Sequence, residues 1–294
     1  MRRVVLIVVA VVAFVVAGCA TSTSEPEGQS SSSTASSAAP GGPSLVNLGD
    51  SFSAAAGVQP LEADSPVMCF RSSRNFAHVL AAAQRYRLDD VSCSGADTSD
   101  FFTPQYEGVA PQLDALDADA DVVTLMIGGN DSSVYTTAIG ACSDVAASDP
   151  AGSPCRDAHG SQYVDIVRDS TYPALVRAFT AVRAKSPDAR VLAVGYPWIL
   201  PADTGCYPTM RVASGDVGYL RRLQAVLNDA IARAARRTGV DYVDMSRVSE
   251  GHDACAPVGQ RWIEPQQGNS GASPVHPNAA GQQAIADQVA AALR

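Results

Sequence analysis

Four short clusters in this chain hold residue types that could do chemistry together. Ser51 ends the stretch Val46-Asn47-Leu48-Gly49-Asp50-Ser51-Phe52-Ser53, at the point where an apolar run must turn. Gly95 stands in Cys93-Ser94-Gly95-Ala96, Asn130 in Gly128-Gly129-Asn130-Asp131, and His276 in His276-Pro277-Asn278. A serine hydroxyl is a poor nucleophile until a base takes its proton. At a strand-to-helix turn the backbone N–H of Ser51 can also face an oxyanion. Gly95, with no side chain in the way, can bring in a second N–H, and Asn130 offers a side-chain amide. Three fixed donors around a developing alkoxide stabilise a tetrahedral intermediate. Asp50 and Asp131 read as turn-holding neighbours.

The base must be one of four histidines. His78 falls on an expected helix beside Phe76 and Val79, a structural or surface position. His159 and His252 sit in irregular segments and could line a pocket, but no pattern accompanies them. His276 precedes Pro277, which fixes the start of the last helix, so its ring can project from a loop. It is assigned the base role.

The elements that must position these residues alternate. Strands are expected at 44–49, 91–93, 121–127, 190–194 and 240–243. Helices are expected at 73–87, 162–185, 215–238 and 277–293, the last with Pro277 in its first turn. Helical spacing carries the first helix, and 121–127 is near-continuously apolar, as parallel strands are. Alternation of this kind builds a parallel sheet covered on both faces. Ligands bind beyond the carboxyl ends of such strands, and Ser51, Gly95 and Asn130 each follow a strand.

In order and context, the four clusters resemble the four blocks of the SGNH (GDSL-type) hydrolases, across essentially all of residues 44–294. The resemblance implies a flavodoxin-like three-layer α/β/α sandwich with a central parallel sheet of about five strands. It implies ester hydrolysis through an acyl-enzyme, without cofactor or metal. It assigns Ser51 as nucleophile, His276 as base, and Ser51, Gly95 and Asn130 as oxyanion donors. Most members place an aspartate three residues before the histidine, where this chain has Ser273. A Ser51–His276 dyad follows, with the Ser273 main-chain carbonyl orienting the ring. The alternative is a carboxylate from elsewhere, Asp253 or Glu264.

The N-terminus points to export. Arg2 and Arg3 precede an apolar run from Val4 to Ala17, the two leading regions of a signal peptide. Val16-Ala17-Gly18-Cys19 resembles a lipobox, whose cysteine is lipidated and anchors the protein to the membrane; an uncleaved anchor or an ordinary secretory signal is the alternative. Residues 1–18 are thus the signal peptide. Residues 19–43, rich in Ser, Thr, Gly and Pro, form a flexible tether spanning about 25–30 Å, and 44–294 are one hydrolase domain. Without residues 1–18 the chain keeps 19 cationic against 30 acidic side chains, a net charge of −11. That balance argues against nucleic acid or anionic lipid as partner.

Setting Cys19 aside leaves six cysteines, an even number that in an exported chain favours disulfides. The expected pairs are sequential: Cys69–Cys93, Cys142–Cys155 and Cys206–Cys255. No Cys-x-x-Cys pair supports a zinc site. The six-cysteine pattern looks most like the exported actinobacterial esterase and lipase branch of the family.

The leading function is a monomeric carboxylic-ester hydrolase acting on lipid or small acyl esters. The alternatives are a carbohydrate O-deacetylase of the same fold and a non-catalytic envelope-binding lipoprotein. Substrate choice falls to loops 132–160, 197–214 and 245–275. There Tyr196, Trp198, Ile199 and Trp262 either form an apolar acyl pocket or pack the loops onto the sheet.

Overall fold

The computed structural model describes residues 41–294. The expected signal peptide, Cys19 and nearly all of the expected tether lie outside the described residues. Among the described residues no helix is long and apolar enough to cross a membrane.

The chain runs β1 (Ser44–Gly49), α1 (Ser51–Ala54), α2 (Phe76–Gln84), β2 (Arg87–Asp90), β3 (Val122–Met126), α3 (Val134–Val145), α4 (Pro154–His159), α5 (Gln162–Ile166), α6 (Tyr172–Lys185), β4 (Arg190–Val194), α7 (Val217–Thr238), β5 (Asp241–Val243) and α8 (Ala279–Leu293). The five strands form one parallel sheet in the order β2-β1-β3-β4-β5. Right-handed crossovers that leave β1 and β3 in opposite directions put their helices on opposite faces. Accordingly α2 packs with α8, and α6 with α7. This is the three-layer α/β/α sandwich. The strand order reverses between β1 and β3, the point at which open sheets of this class carry their ligands.

Several expected boundaries shift, each for a local reason. The first helix begins at Phe76, where the Asn75 side chain accepts the His78 N–H, and stops at Arg85 in the left-handed region. Arg87–Asp90 is therefore strand, the charged edge of the sheet, and 91–93 only continues its line: the Val91 and Cys93 N–H groups donate to Asn47 and Gly49. The segment around Cys142 and Cys155 is helical, as α3 and α4, rather than loop. The expected helix 162–185 is interrupted by a π turn at Val167–Thr171. The last helix starts at Ala279, not Pro277, because the Asn278 side chain caps it by accepting from Ala280 and Gly281.

Disulfides join Cys69 to Cys93, Cys142 to Cys155 and Cys206 to Cys255. The first ties the loop before α2 to the segment that continues β2, the second joins α3 to α4, and the third joins two loops.

Candidate active site

The carboxyl end of β1 is built to turn abruptly. Gly49 has φ 126°, and a Cβ there would lie 2.3 Å from the Met126 carbonyl oxygen, so no other residue fits. Gln112 reads both sides of its backbone, accepting from Gly49 N–H (2.7 Å) and donating to Gly49 O (3.0 Å). Asp50 then caps α1 through the Phe52 N–H at 2.9 Å, which leaves Ser51 at the first position of that short helix. The His276 Nε2 lies 2.8 Å from Ser51 Oγ. These two residues are 225 positions apart in the chain and meet at hydrogen-bonding distance.

The group behind the imidazole is not the expected one. His276 Nδ1 lies 2.8 Å from the Pro274 carbonyl oxygen. The Ser273 carbonyl instead accepts the His276 backbone N–H at 3.2 Å. That bond closes a four-residue turn with proline second and Val275 third, at φ 64°, the pattern of a type II turn. In closing it, the Ser273 oxygen is consumed and the Pro274 oxygen is left to meet the ring. A valine at positive φ is strained, and here the strain lies one residue from the candidate base. A carbonyl can only accept, so it fixes the proton on Nδ1 and leaves Nε2 to accept from Ser51.

Neither alternative carboxylate reaches the ring. Glu264 pairs with buried Arg261 at 2.6 Å and accepts from Asn278 Nδ2 at 2.9 Å. Its carboxylate also accepts the Ser270 N–H at 3.1 Å, and it meets His276 itself through the main chain, where its N–H donates to His276 O while its carbonyl accepts from Val275. Asp253 accepts the Cys255 N–H at 2.9 Å. With no carboxylate beside it, His276 feels burial first, which lowers its pKa from the usual histidine value; the bond to Pro274 opposes that only in part.

The candidate oxyanion donors meet through two links. Asn130 Nδ2 donates to Ala96 O at 2.9 Å; one amide hydrogen orients the side chain and the other remains for a ligand. Asp131, read as a turn-holding residue, binds the glycine loop: its carboxylate accepts from the Thr98 N–H and hydroxyl, both at 2.9 Å. Gly95 itself has φ 82° and is exposed. Neither its N–H nor that of Ser51 has a hydrogen-bond partner among the described residues.

A buried relay, outside the expected site, joins the serine and asparagine blocks. The Tyr196 hydroxyl accepts the Gly129 N–H at 3.1 Å and donates to the Asp50 carboxylate. Burial raises Asp50 to about 7 despite these bonds, and Asp131 to about 6.

A cavity of about 340 Å³ opens beside Ser51 and His276, walled by Phe52, Tyr135, Ile139, Tyr196, Ile199 and Leu227. Of the four candidate pocket residues, Tyr196 and Ile199 line it. Trp198 instead lies under the Arg221 guanidinium, and Trp262 stacks on His252 at 4.0 Å. His159 contacts Gln162 and Tyr163, and His78 contacts Asn75; neither lines the cavity. Tyr135 and Ile139 come from α3. Their one sequence signal is the spacing of Val134, Ala138 and Cys142, four residues apart on a helical face.

Compared with known proteins, the chain matches the model of the GDSL-like lipase/acylhydrolase family over residues 48–284. It is 51% identical over 245 residues to Lipase 2 of Streptomyces coelicolor, covering 82% of this chain and 83% of that protein. Its fold is similar to that of an extracellular lipase from Streptomyces rimosus, with a TM-score of 0.72 and 22% identity over 85% of this chain and 99% of that one. A phospholipase A1 from Streptomyces albidoflavus NA297 superposes with a TM-score of 0.67 and 26% identity, over 83% of this chain and 98% of that one.

Proposed function

The chain belongs to the GDSL-like lipase/acylhydrolase family, and on that premise we propose that it is an exported serine carboxylic-ester hydrolase working through an acyl-enzyme on lipid esters. The observation that carries this reading is the 2.8 Å contact between Ser51 Oγ and His276 Nε2 at the mouth of an apolar cavity. His276 takes the hydroxyl proton as Ser51 Oγ attacks the ester carbonyl carbon. The oxyanion receives hydrogen bonds from the main chain of Ser51 and Gly95 and from the Asn130 amide. Collapse of the intermediate expels the alcohol, protonated by His276, and leaves the acyl group on Ser51. Water, activated by the same imidazole, then releases the acid. The Pro274 carbonyl stabilises the transient imidazolium with its dipole.

The acyl chain enters the cavity. The apolar walls of the 340 Å³ cavity favour an acyl chain longer than acetyl. Export is supported by the leader and by three disulfides. Lipidation at Cys19 holds the enzyme at the outer face of the membrane, and the site is complete within one chain, which supports action as a monomer.

A fluorophosphonate probe should label the wild type and not Ser51→Ala. Across p-nitrophenyl esters, kcat/KM should rise by up to about fourfold per methylene and level off once the chain fills the cavity. Absence of labelling refutes the acyl-enzyme. A maximum at acetyl, with acetylated xylan cleaved in preference, favours the deacetylase instead.

A further inference from the structure

Six large apolar side chains are well exposed among the described residues: Val67, Met68, Phe70, Phe102, Tyr207 and Val258. Single exposed apolar residues are ordinary, whereas a cluster points to an interaction surface. Four of the six, Val67 (76% exposed), Met68 (51%), Phe70 (46%) and Phe102 (45%), lie on two loops that converge beside Gly95. The first loop is closed by the Leu61–Ser72 bridge and pinned by the Cys69–Cys93 disulfide. It accepts the Ser94 N–H at Cys69 O, 3.0 Å away. The second is tied to the same residue, since Gln105 Nε2 donates to Ser94 O at 2.9 Å. Phe70 is held in the left-handed region at φ 46°, an unfavourable conformation for a bulky residue that nonetheless leaves its ring outside.

We propose that this apolar lip docks the enzyme on an uncharged or zwitterionic lipid surface and so presents ester to Ser51. The inference rests on the lipid-ester reading above and adds the physical state of the substrate. Two features favour such a surface. The lip adjoins Gly95, a candidate oxyanion donor, so a surface seated on it lies against the mouth of the site. Its charges also select against anionic lipid: the segments 61–74 and 96–108 carry Glu62, Asp64, Asp97, Asp100 and Glu107 against Arg71 and Arg74. Arg71 is moreover engaged by Glu62 and Asp90 at 3.6 and 3.8 Å. A net-acidic lip is repelled by phosphatidylglycerol and indifferent to phosphatidylcholine.

Two measurements on the full chain test it. Phe70→Trp in the Ser51→Ala background, which binds without turnover, should have its added fluorescence quenched by vesicles of brominated phosphatidylcholine and less by brominated phosphatidylglycerol. In the active chain, Met68→Ser/Phe70→Ser should lower turnover of phosphatidylcholine vesicles at least tenfold. Turnover of soluble p-nitrophenyl butyrate should stay within twofold, which also reports intact folding. The lip is refuted by no quenching, by stronger quenching in phosphatidylglycerol, or by a wild-type dimer that dissociates in the double variant, which would make a second copy the occupant. If no ester is cleaved by the wild type, the functional reading fails while the quenching arm still decides the lip.

Discussion

Ser51, Gly95 and Asn130, each after a strand, and His276, in a loop before the last helix, stand out in the sequence as candidates because the proposed chemistry needs a particular side chain, or the lack of one, at each. The acceptor behind His276 does not, because it is a main-chain oxygen and leaves no mark on residue type. Only the turn, with Val275 at φ 64°, decides that Pro274 and not Ser273 supplies it. The substitution of a carbonyl for a carboxylate has a consequence for pH. A neighbouring carboxylate raises a histidine pKa; here burial lowers it from the usual 6.5 and the Pro274 bond recovers part of the shift. The proposed base acts when neutral, so kcat/KM should rise with pH as the free enzyme's His276 loses its proton. The acid limb should therefore have its midpoint below pH 6.5, and turnover should persist in mildly acidic medium. Ser273→Ala should trace the same profile with kcat changed less than twofold. A midpoint above 6.5 would imply that a carboxylate reaches the ring in solution.

Elements were legible where burial writes a pattern. β3 is buried at every position, and its apolar run announces it. β2 is an edge strand with alternating exposure, so Arg87 reads as the end of the preceding helix and Leu88-Asp89-Asp90 carries no strand signal of its own. α3 is hidden by Thr136, Thr137 and Gly140, weak helix formers, of which Thr136 and Gly140 line the cavity. The connections between elements were hardest to foresee, because they run through buried polar pairs distant in sequence. Asn228 of α7 clamps the end of β4 by accepting from Tyr196 N–H and donating to Tyr196 O, both at 2.9 Å. So held, the Tyr196 hydroxyl bridges the Gly129 N–H after β3 to Asp50 after β1. Tyr196→Phe keeps the ring and its edge contact with Phe52 (5.1 Å between centroids) but strands both partners. A buried polar group left without a partner costs about 1–3 kcal/mol, so urea unfolding should show a loss of that size. Because the bridge sets the spacing of the serine and asparagine blocks, kcat should fall as well, with KM for a short soluble ester little changed. Wild-type stability and turnover in the variant would mean the bridge positions nothing.

At the scale of the molecule, the parallel sheet brings residues from four distant blocks to one rim, and the disulfides hold the rim's loops. A cross-link stabilises chiefly by restricting the unfolded chain, more so for longer loops. The three bridges span 13, 24 and 49 residues (Cys142–Cys155, Cys69–Cys93 and Cys206–Cys255). Replacing each pair by serines should cost about 3, 3.5 and 4 kcal/mol in that order, read as shifts of the urea midpoint. Activity should follow a different order. Cys142–Cys155 joins α3, which lends Tyr135 and Ile139 to the cavity wall, to α4, and Cys206–Cys255 joins two loops whose residues around the bridge do not line the cavity. Cys69–Cys93 ends two residues before Gly95 and holds Cys69 O on the Ser94 N–H. Its removal should lower kcat for a soluble ester under fully native conditions, well below the midpoint of its own unfolding, while the other two pairs leave kcat near wild type. If all three variants lost activity only as they unfolded, the bridges would be stabilising the fold alone, and the glycine loop would keep its place without its disulfide.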